Sequence, residues 1–252
     1  MPTVNERSAV WRKERVSFNA AYGNERVSAY VFLPRKFRPP FQAVVHFPGS
    51  GVIFTPTSEQ DVDRRTDDFG FIVESGRAVI FPVYKGTYER RDGLRTVCPE
   101  PTNFYRDHVV QWSKDLGRTL DYLETRPDIQ TNKVAYYGWS WGASLGAILP
   151  ALEPRLRASI LTCGGFYLQQ AHPEVDQINF LPRITLPTLM VNGRYDFFYP
   201  IESCQDPMFR LLGTQPQDKR HVILDSGHGL PRGPLVREAL AWLDRYLGPV
   251  KQ

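Results

Sequence analysis

Seven short runs along the chain are almost continuously apolar and rich in β-branched and aromatic residues. They are 27–33 (VSAYVFL), 43–47 (AVVHF), 78–84 (AVIFPVY), 133–138 (KVAYYG), 158–164 (ASILTCG), 188–193 (TLMVNG) and 221–225 (HVILD). A strand with one wet face alternates apolar and polar residues. Continuous runs of this length fit strands covered on both faces, the habit of a parallel sheet between helices. Helical periodicity lies between them. In 103–126, Val109, Trp112, Leu116, Leu120 and Leu123 recur every three or four residues and make one apolar face, and Pro127 stops the helix. Thr57 and Gln60 have capping-box spacing ahead of a helix carrying Val62, Phe69, Ile72 and Val73, with Gly76 placed to end it. Toward the C-terminus Pro234 suits a first helical turn, Val236, Leu240, Leu243 and Leu247 form a stripe, and Gly248 closes it. Residues 15–34 read as an antiparallel hairpin turning at Tyr22-Gly23-Asn24.

Strands alternating with helices predict an α/β fold with a doubly wound sheet. The 252 residues suit one domain spanning 1–252, without repeats or linkers. The least regular stretch is 85–104, and a loop of that length within a compact domain is usually functional or mobile.

Composition narrows the function classes. The chain is 42% hydrophobic and 23% charged, as in globular proteins that stay in water. No window approaches the ~20 apolar residues of a membrane helix, so no membrane partner is expected. The opening MPTVNERSAVWRKERVSF has no apolar core behind its charges, which argues against a secretory signal and leaves a cytoplasmic location as the default. The net charge of +4 comes from scattered residues. Basic pairs at Arg12–Lys13, Arg64–Arg65 and Arg90–Arg91 have acids beside them, so they read as solvated surface rather than a nucleic-acid footprint. Cys98, Cys163 and Cys204 have no paired spacing, so free thiols are expected, with neither a disulfide framework nor a metal site.

The candidate chemistry centres on 138–144, GWSWGAS. This G-x-S-x-G lies where the run 133–138 gives way to a helix starting directly after Ser140. A strand–turn–helix junction of this kind holds a serine in a tight turn with its hydroxyl at the sheet's edge. Side chains at Gly138 or Gly142 would collide with the neighbouring strand or helix. A serine hydroxyl needs a base. Of the five histidines, His46 and His221 fall in or at strands, His108 on a helix and His172 in a polar stretch. His228 alone follows the last strand, in the loop DSGHGLP. The acid that orients it should follow an intervening strand. Asp196 does so, one short turn past 188–193; of its rivals Asp176, Glu202, Asp206, Asp218 and Asp225, the last, three residues before His228, is the strongest, and a solvated surface role fits the others better. An oxyanion needs two backbone N–H donors. Trp141 follows the nucleophile. In the loop PGSGV after 43–47, Pro48 has no N–H, Ser50 is the better donor and Gly51 the runner-up.

Four elements in this order, HFPGSG, GWSWG, NGRYD and SGHG, resemble the α/β-hydrolase superfamily over about residues 25–247. The modest size and lack of a large cap look most like the dienelactone-hydrolase and acetyl-xylan-esterase-like branch. There is also a similarity to hydrolase modules that trail bacterial serine/threonine kinases. The resemblance implies a mostly parallel sheet of about eight strands with helices on both faces, and a Ser140–His228–Asp196 triad acting on a small-molecule ester without cofactor or metal. Pro48-Gly49 stands where the family's oxyanion loop usually has His-Gly. Ser140 stands where dienelactone hydrolases have a cysteine, so lactone chemistry is not implied. The family's cap usually grows between the strands read here at 158–164 and 188–193; only 166–186 lies there, which leaves 85–104 as the candidate cover. Tyr84, Tyr88, Trp139, Trp141, Phe166, Tyr167, Phe197, Phe198 and Tyr199 fall at or near strand ends, where such folds bind ligands; several of them belong to the core, and Tyr84, Trp139, Phe166 and Phe197 are the candidate substrate contacts. Arg90, Arg91 and Arg95 offer contacts for an anionic group, with a solvated loop as the plainer reading. Three functions compete: a serine esterase, a prolyl-oligopeptidase-like peptidase, and a hydrolase-fold binding protein without turnover. Homo-oligomerisation and a place within a larger multidomain protein both stay open.

Overall fold

A computed structural model describes residues 3–5 and 9–250. Its strands are β1 (Thr3–Asn5), β2 (Trp11–Asn19), β3 (Arg26–Pro34), β4 (Phe41–Phe47), β5 (Ala78–Pro82), β6 (Ile129–Trp139), β7 (Leu156–Thr162), β8 (Thr188–Gly193) and β9 (Lys219–Leu224). They form one sheet in the order β1-β2-β3-β5-β4-β6-β7-β8-β9. The expectation of about eight mostly parallel strands holds, with the three-residue β1 added at one edge. From β5 to β9 every neighbouring pair is parallel, and β1, β2 and β3 join antiparallel.

Every residue of β4, β5 and β8 is buried, so both faces of the sheet's middle are covered. The continuous run 221–225 departs from this picture. Its residues 221–224 lie in β9 at the open edge, where they are half-exposed, and exposed Asp225 follows the strand. The hairpin forms as read: Gly23 and Asn24 both take positive φ (61° and 51°), which turns β2 into β3.

The helices are α1 (Ser58–Arg64), α2 (Thr66–Glu74), α3 (Asn103–Glu124), α4 (Trp141–Leu145), α5 (Leu149–Leu152), α6 (Asp206–Leu211) and α7 (Arg232–Leu247). In α3 the stripe Val109, Trp112, Leu116, Leu120 and Leu123 is buried. Two helices expected as continuous are divided. Between α1 and α2 the chain breaks at Arg65, and Thr57 makes no side-chain cap. The Ser58 N–H is met instead by the Glu89 carboxylate at 3.0 Å, so a distant residue does the work of the capping box. The helix after Ser140 breaks at Gly146, because Pro150 has no N–H to give its carbonyl. Ala147 and Ile148 bond three residues back and bridge the gap to α5. In α7 the buried side is Leu235, Ala239, Trp242, Leu243 and Leu247, while Val236 and Leu240 lie at its margin.

Candidate active site

Ser140 sits at the carboxyl end of β6 with φ 53° and ψ −110°, a backbone that L-residues rarely adopt. Several bonds impose it. The Ser140 N–H donates to the Thr162 carbonyl at 2.8 Å, and the Gly142 N–H to the Pro48 carbonyl at 3.1 Å. The Thr162 hydroxyl donates to the Gly138 carbonyl at 3.0 Å, and the Tyr136 hydroxyl to the Gly142 carbonyl at 2.6 Å. The glycines are obligatory there: a Cβ on Gly138 would lie 2.4 Å from the Gly142 oxygen, and one on Gly142 2.1 Å from the Phe47 oxygen. These contacts press the turn between β4 and β7, which projects the Ser140 hydroxyl outward.

The ends of β8 and β9 are locked together in the same way. The Arg194 N–H donates to the Leu224 carbonyl and the Tyr195 N–H to the Ser226 carbonyl, at 2.8 and 2.9 Å. A Cβ on Gly193 would meet the Gly227 oxygen at 2.0 Å, so only glycine lets the two loops approach. Asp196 and His228 are thereby placed side by side. Asp196 Oδ1 accepts the N–H groups of Phe198 and Tyr199 at 3.0 and 3.2 Å. Its Oδ2 accepts from His228 Nδ1 at 2.8 Å, and His228 Nε2 lies 2.9 Å from Ser140 Oγ. A carboxylate only accepts, so Nδ1 carries the proton and Nε2 is free to accept from the serine hydroxyl. Asp196 is 2% exposed, which keeps water from competing for the imidazole. The rival Asp225 is instead an exposed residue paired with Arg194 at 2.9 Å.

The other histidines lie elsewhere. His46 is in the core among Phe69, Phe81 and Tyr137, where burial pushes its pKa down to about 3. His108 bonds Asp92 at 3.0 Å and His221 bonds Asn192 at 3.2 Å.

Ser140 and His228 open onto a cavity of about 600 Å³. Ser50 and Trp141 both line it. The loop that carries Ser50 lies directly over the serine, since a Cβ on Gly49 would touch Ser140 Cβ at 3.4 Å and Trp139 Cδ1 at 3.1 Å. Of the four candidate substrate contacts, Phe166 and Phe197 line the cavity. Tyr84 and Trp139 are not among its lining residues. Tyr84 is stacked on Phe47 at 3.9 Å inside the core, and Trp139 packs against Gly49. Both stand near strand ends, yet Tyr84 is buried and Trp139 half-buried outside the cavity's lining.

The segment 85–104 contributes Val97 and Cys98 to the wall. Arg90 is neither solvated nor a free anion contact: it is bound to Asp115 at 2.5 Å and to the Tyr22 hydroxyl at 2.7 Å. The 166–186 segment holds only short 3-10 turns, so no large cap grows there. Phe198, Tyr199, Ser203 and Cys204 also line the cavity. Phe198 and Tyr199 are among the aromatic residues expected near strand ends. Ser203 and Cys204 carry no signal in the sequence, because a turn of π-helix (Ile201–Gln205) brings them round. Buried Gln205 closes that turn by donating to the carbonyls of Gly193 and Tyr199 at 3.0 and 2.7 Å. Among the described residues no cluster of three or more His, Cys, Asp or Glu is placed to hold a metal, and no helix is long and apolar enough to cross a membrane.

No family model matches the sequence. Among solved structures, the acetyl xylan esterase from Paenibacillus sp. R4 is similar over 98% of this chain and 88% of its own, with a TM-score of 0.68 and 16% identity. A protein described as a dienelactone hydrolase from Klebsiella pneumoniae matches over 93% of this chain and 99% of its own, with a TM-score of 0.68 and 15% identity. A protein described as a dipeptidyl aminopeptidase IV from Bacteroides ovatus matches over 96% of this chain and 36% of its own, with a TM-score of 0.72 and 12% identity. The chain has the α/β-hydrolase fold.

Proposed function

We propose that the protein is a serine ester hydrolase working through an acyl-enzyme. The observation that carries this reading is the bonded series Ser140 Oγ, His228 Nε2, His228 Nδ1 and Asp196 Oδ2, with links of 2.9 and 2.8 Å, at the floor of an open cavity. Ser140 Oγ attacks the ester carbonyl carbon as its proton passes to His228 Nε2. Asp196 stabilises the imidazolium that forms. The backbone N–H groups of Trp141 and Ser50 hold the oxyanion. Collapse breaks the ester bond, and the departing alkoxide takes the proton from Nε2. Water then attacks the acyl-enzyme by the same route in reverse and releases the acid and free Ser140.

Esterases and a peptidase both appear among the similar folds, so the cavity has to decide between them. No Asp or Glu lines it among the described residues, so a peptide's terminal ammonium would find no partner there. That favours a neutral ester. The test is a panel of nitrophenyl esters and aminoacyl amides given to the protein and to Ser140→Ala. Ester turnover that disappears in the variant is the expected result. Amide turnover exceeding ester turnover would make the protein a peptidase, and turnover surviving in Ser140→Ala would remove the nucleophile.

A further inference from the structure

We propose that the site is built for an ester with a neutral aromatic arm bearing a hydrogen-bond acceptor, and that the hydroxyl of Tyr167 reads that acceptor. The inference rests on the serine-hydrolase reading above. It starts from what the cavity contains. A volume of about 600 Å³ is far more than an acetyl group fills and lies in the range that holds a whole small molecule. Its walls include Phe166, Tyr167, Phe197, Phe198 and Tyr199, and among the described residues no Lys, Arg, Asp or Glu lines it. A carboxylate or ammonium on the substrate would be taken from water without a counter-charge, which is costly. Flat aromatic groups, in contrast, pack well against such rings.

Among the polar side chains of the lining, which include Ser50, Gln169 and Ser203, two tyrosine hydroxyls on one wall are paired with each other. The Tyr199 hydroxyl donates to the Tyr167 hydroxyl at 2.9 Å. Tyr167 therefore accepts in this pair, and its own proton has no acceptor among the described residues. Burial pushes the Tyr167 phenol well above its usual range, so the group stays a donor across the working pH.

The position of Tyr167 is also fixed relative to the nucleophile. Its backbone N–H donates to Gln177 Oε1, and Gln177 Nε2 donates to the Ser144 carbonyl in α4, both at 2.7 Å. Gln177 is 4% exposed and so ties this wall to the helix that begins after Ser140. A site holding a donor in a mostly apolar cavity selects ligands that satisfy it, because ligands lacking the acceptor leave the donor unpaired.

The test compares wild type with Tyr167→Phe on two matched sets of esters. Methyl cinnamate, methyl 4-methoxycinnamate and methyl 4-carboxycinnamate vary the acyl arm. Benzyl acetate and 4-methoxybenzyl acetate vary the alcohol arm. On one of the two arms, wild type should favour the methoxy ester over its parent by about five- to tenfold in kcat/KM, the size expected of one hydrogen bond, and should disfavour the carboxylate. In Tyr167→Phe that ratio should fall to near one, mainly through KM. Equal ratios in the two proteins, or preference for the carboxylate, would overturn the inference. Fluorophosphonate labelling of the same preparations separates the two levels of argument: labelled protein that hydrolyses both sets without preference contradicts the pocket but not the nucleophile. If neither labelling nor turnover occurs, calorimetric binding of 4-methoxycinnamamide decides. Binding weakened by the same factor in Tyr167→Phe supports the pocket, and equal binding in both proteins overturns it.

Discussion

The segments that follow β5 and β8 leave the same end of the sheet, and both are rich in charged and aromatic residues, yet they serve opposite ends. After β5, Lys85, Arg90 and Asp92 turn their charges on one another and on the rest of the protein. Arg90 reaches buried Asp115, the Tyr22 hydroxyl and Glu25; Lys85 reaches Glu25; Asp92 reaches His108. The cavity receives only Val97 and Cys98 from this segment. After β8, Asp196 is satisfied on one oxygen by its own loop and offers the other to His228, while Phe197, Phe198 and Tyr199 face the cavity. Position at the carboxyl end of a strand therefore does not make a residue functional. What matters is whether its bonding capacity is spent within the scaffold or left directed at the open side.

The largest effect should come from the second segment. Asp196→Asn should lower kcat by about 10⁴, because the amide would leave the imidazole in the wrong tautomer. Asp225→Asn should change it by less than about twofold, since only an exposed pair with Arg194 is lost. Steady-state kinetics on one ester checks both, and the reverse ranking would transfer the acid's role to Asp225. The first segment should respond in stability. Arg90→Met leaves Asp115 buried without its cation and should cost about 3–5 kcal/mol in urea unfolding, with turnover per folded molecule retained. An equal loss of kcat at unchanged stability would place Arg90 in the chemistry and dissolve the contrast.

The smallest effect concerns His46, whose bonding is likewise turned inward. Its Nδ1 lies 3.1 Å from the Tyr137 carbonyl, and burial holds its pKa down to about 3, against about 6.5 in an unfolded chain. Between those values the unfolded chain takes up a proton that the folded protein refuses. Stability contributed by neutral His46 is therefore full above pH ~6.5 and falls as the pH drops toward 3, by at most ~1.4 kcal/mol per pH unit. In His46→Met the urea midpoint should decline less steeply between pH 6.5 and 4.5. An unchanged slope would mean that other groups carry the acid sensitivity.

The sequence made much of this arrangement legible because the decisive features are local. Seven apolar runs marked β3 to β9, Gly138 and Gly142 framed the turn at Ser140, and Asp196 and His228 each followed a strand within a few residues. The rest depends on contacts between distant parts of the chain. That Glu89 would cap α1 is visible only once residues 58 and 89 meet. The burial of Arg90 follows from Asp115 and Tyr22, which lie in other elements. Tyr84 and Phe197 look alike as aromatic residues near strand ends. Packing on Phe47 buries the first, while the second is 75% exposed at the cavity's mouth.

The most direct measurement locates a fluorophosphonate adduct by peptide mass spectrometry. Ser50 and Ser203 line the cavity too, so the position of the adduct discriminates among serines as well as testing reactivity. The account predicts one adduct, on the peptide containing Ser140, formed in the wild type and strongly slowed in His228→Ala. An adduct on Ser50 or Ser203, or an unmodified Ser140 in folded wild-type protein, would contradict it.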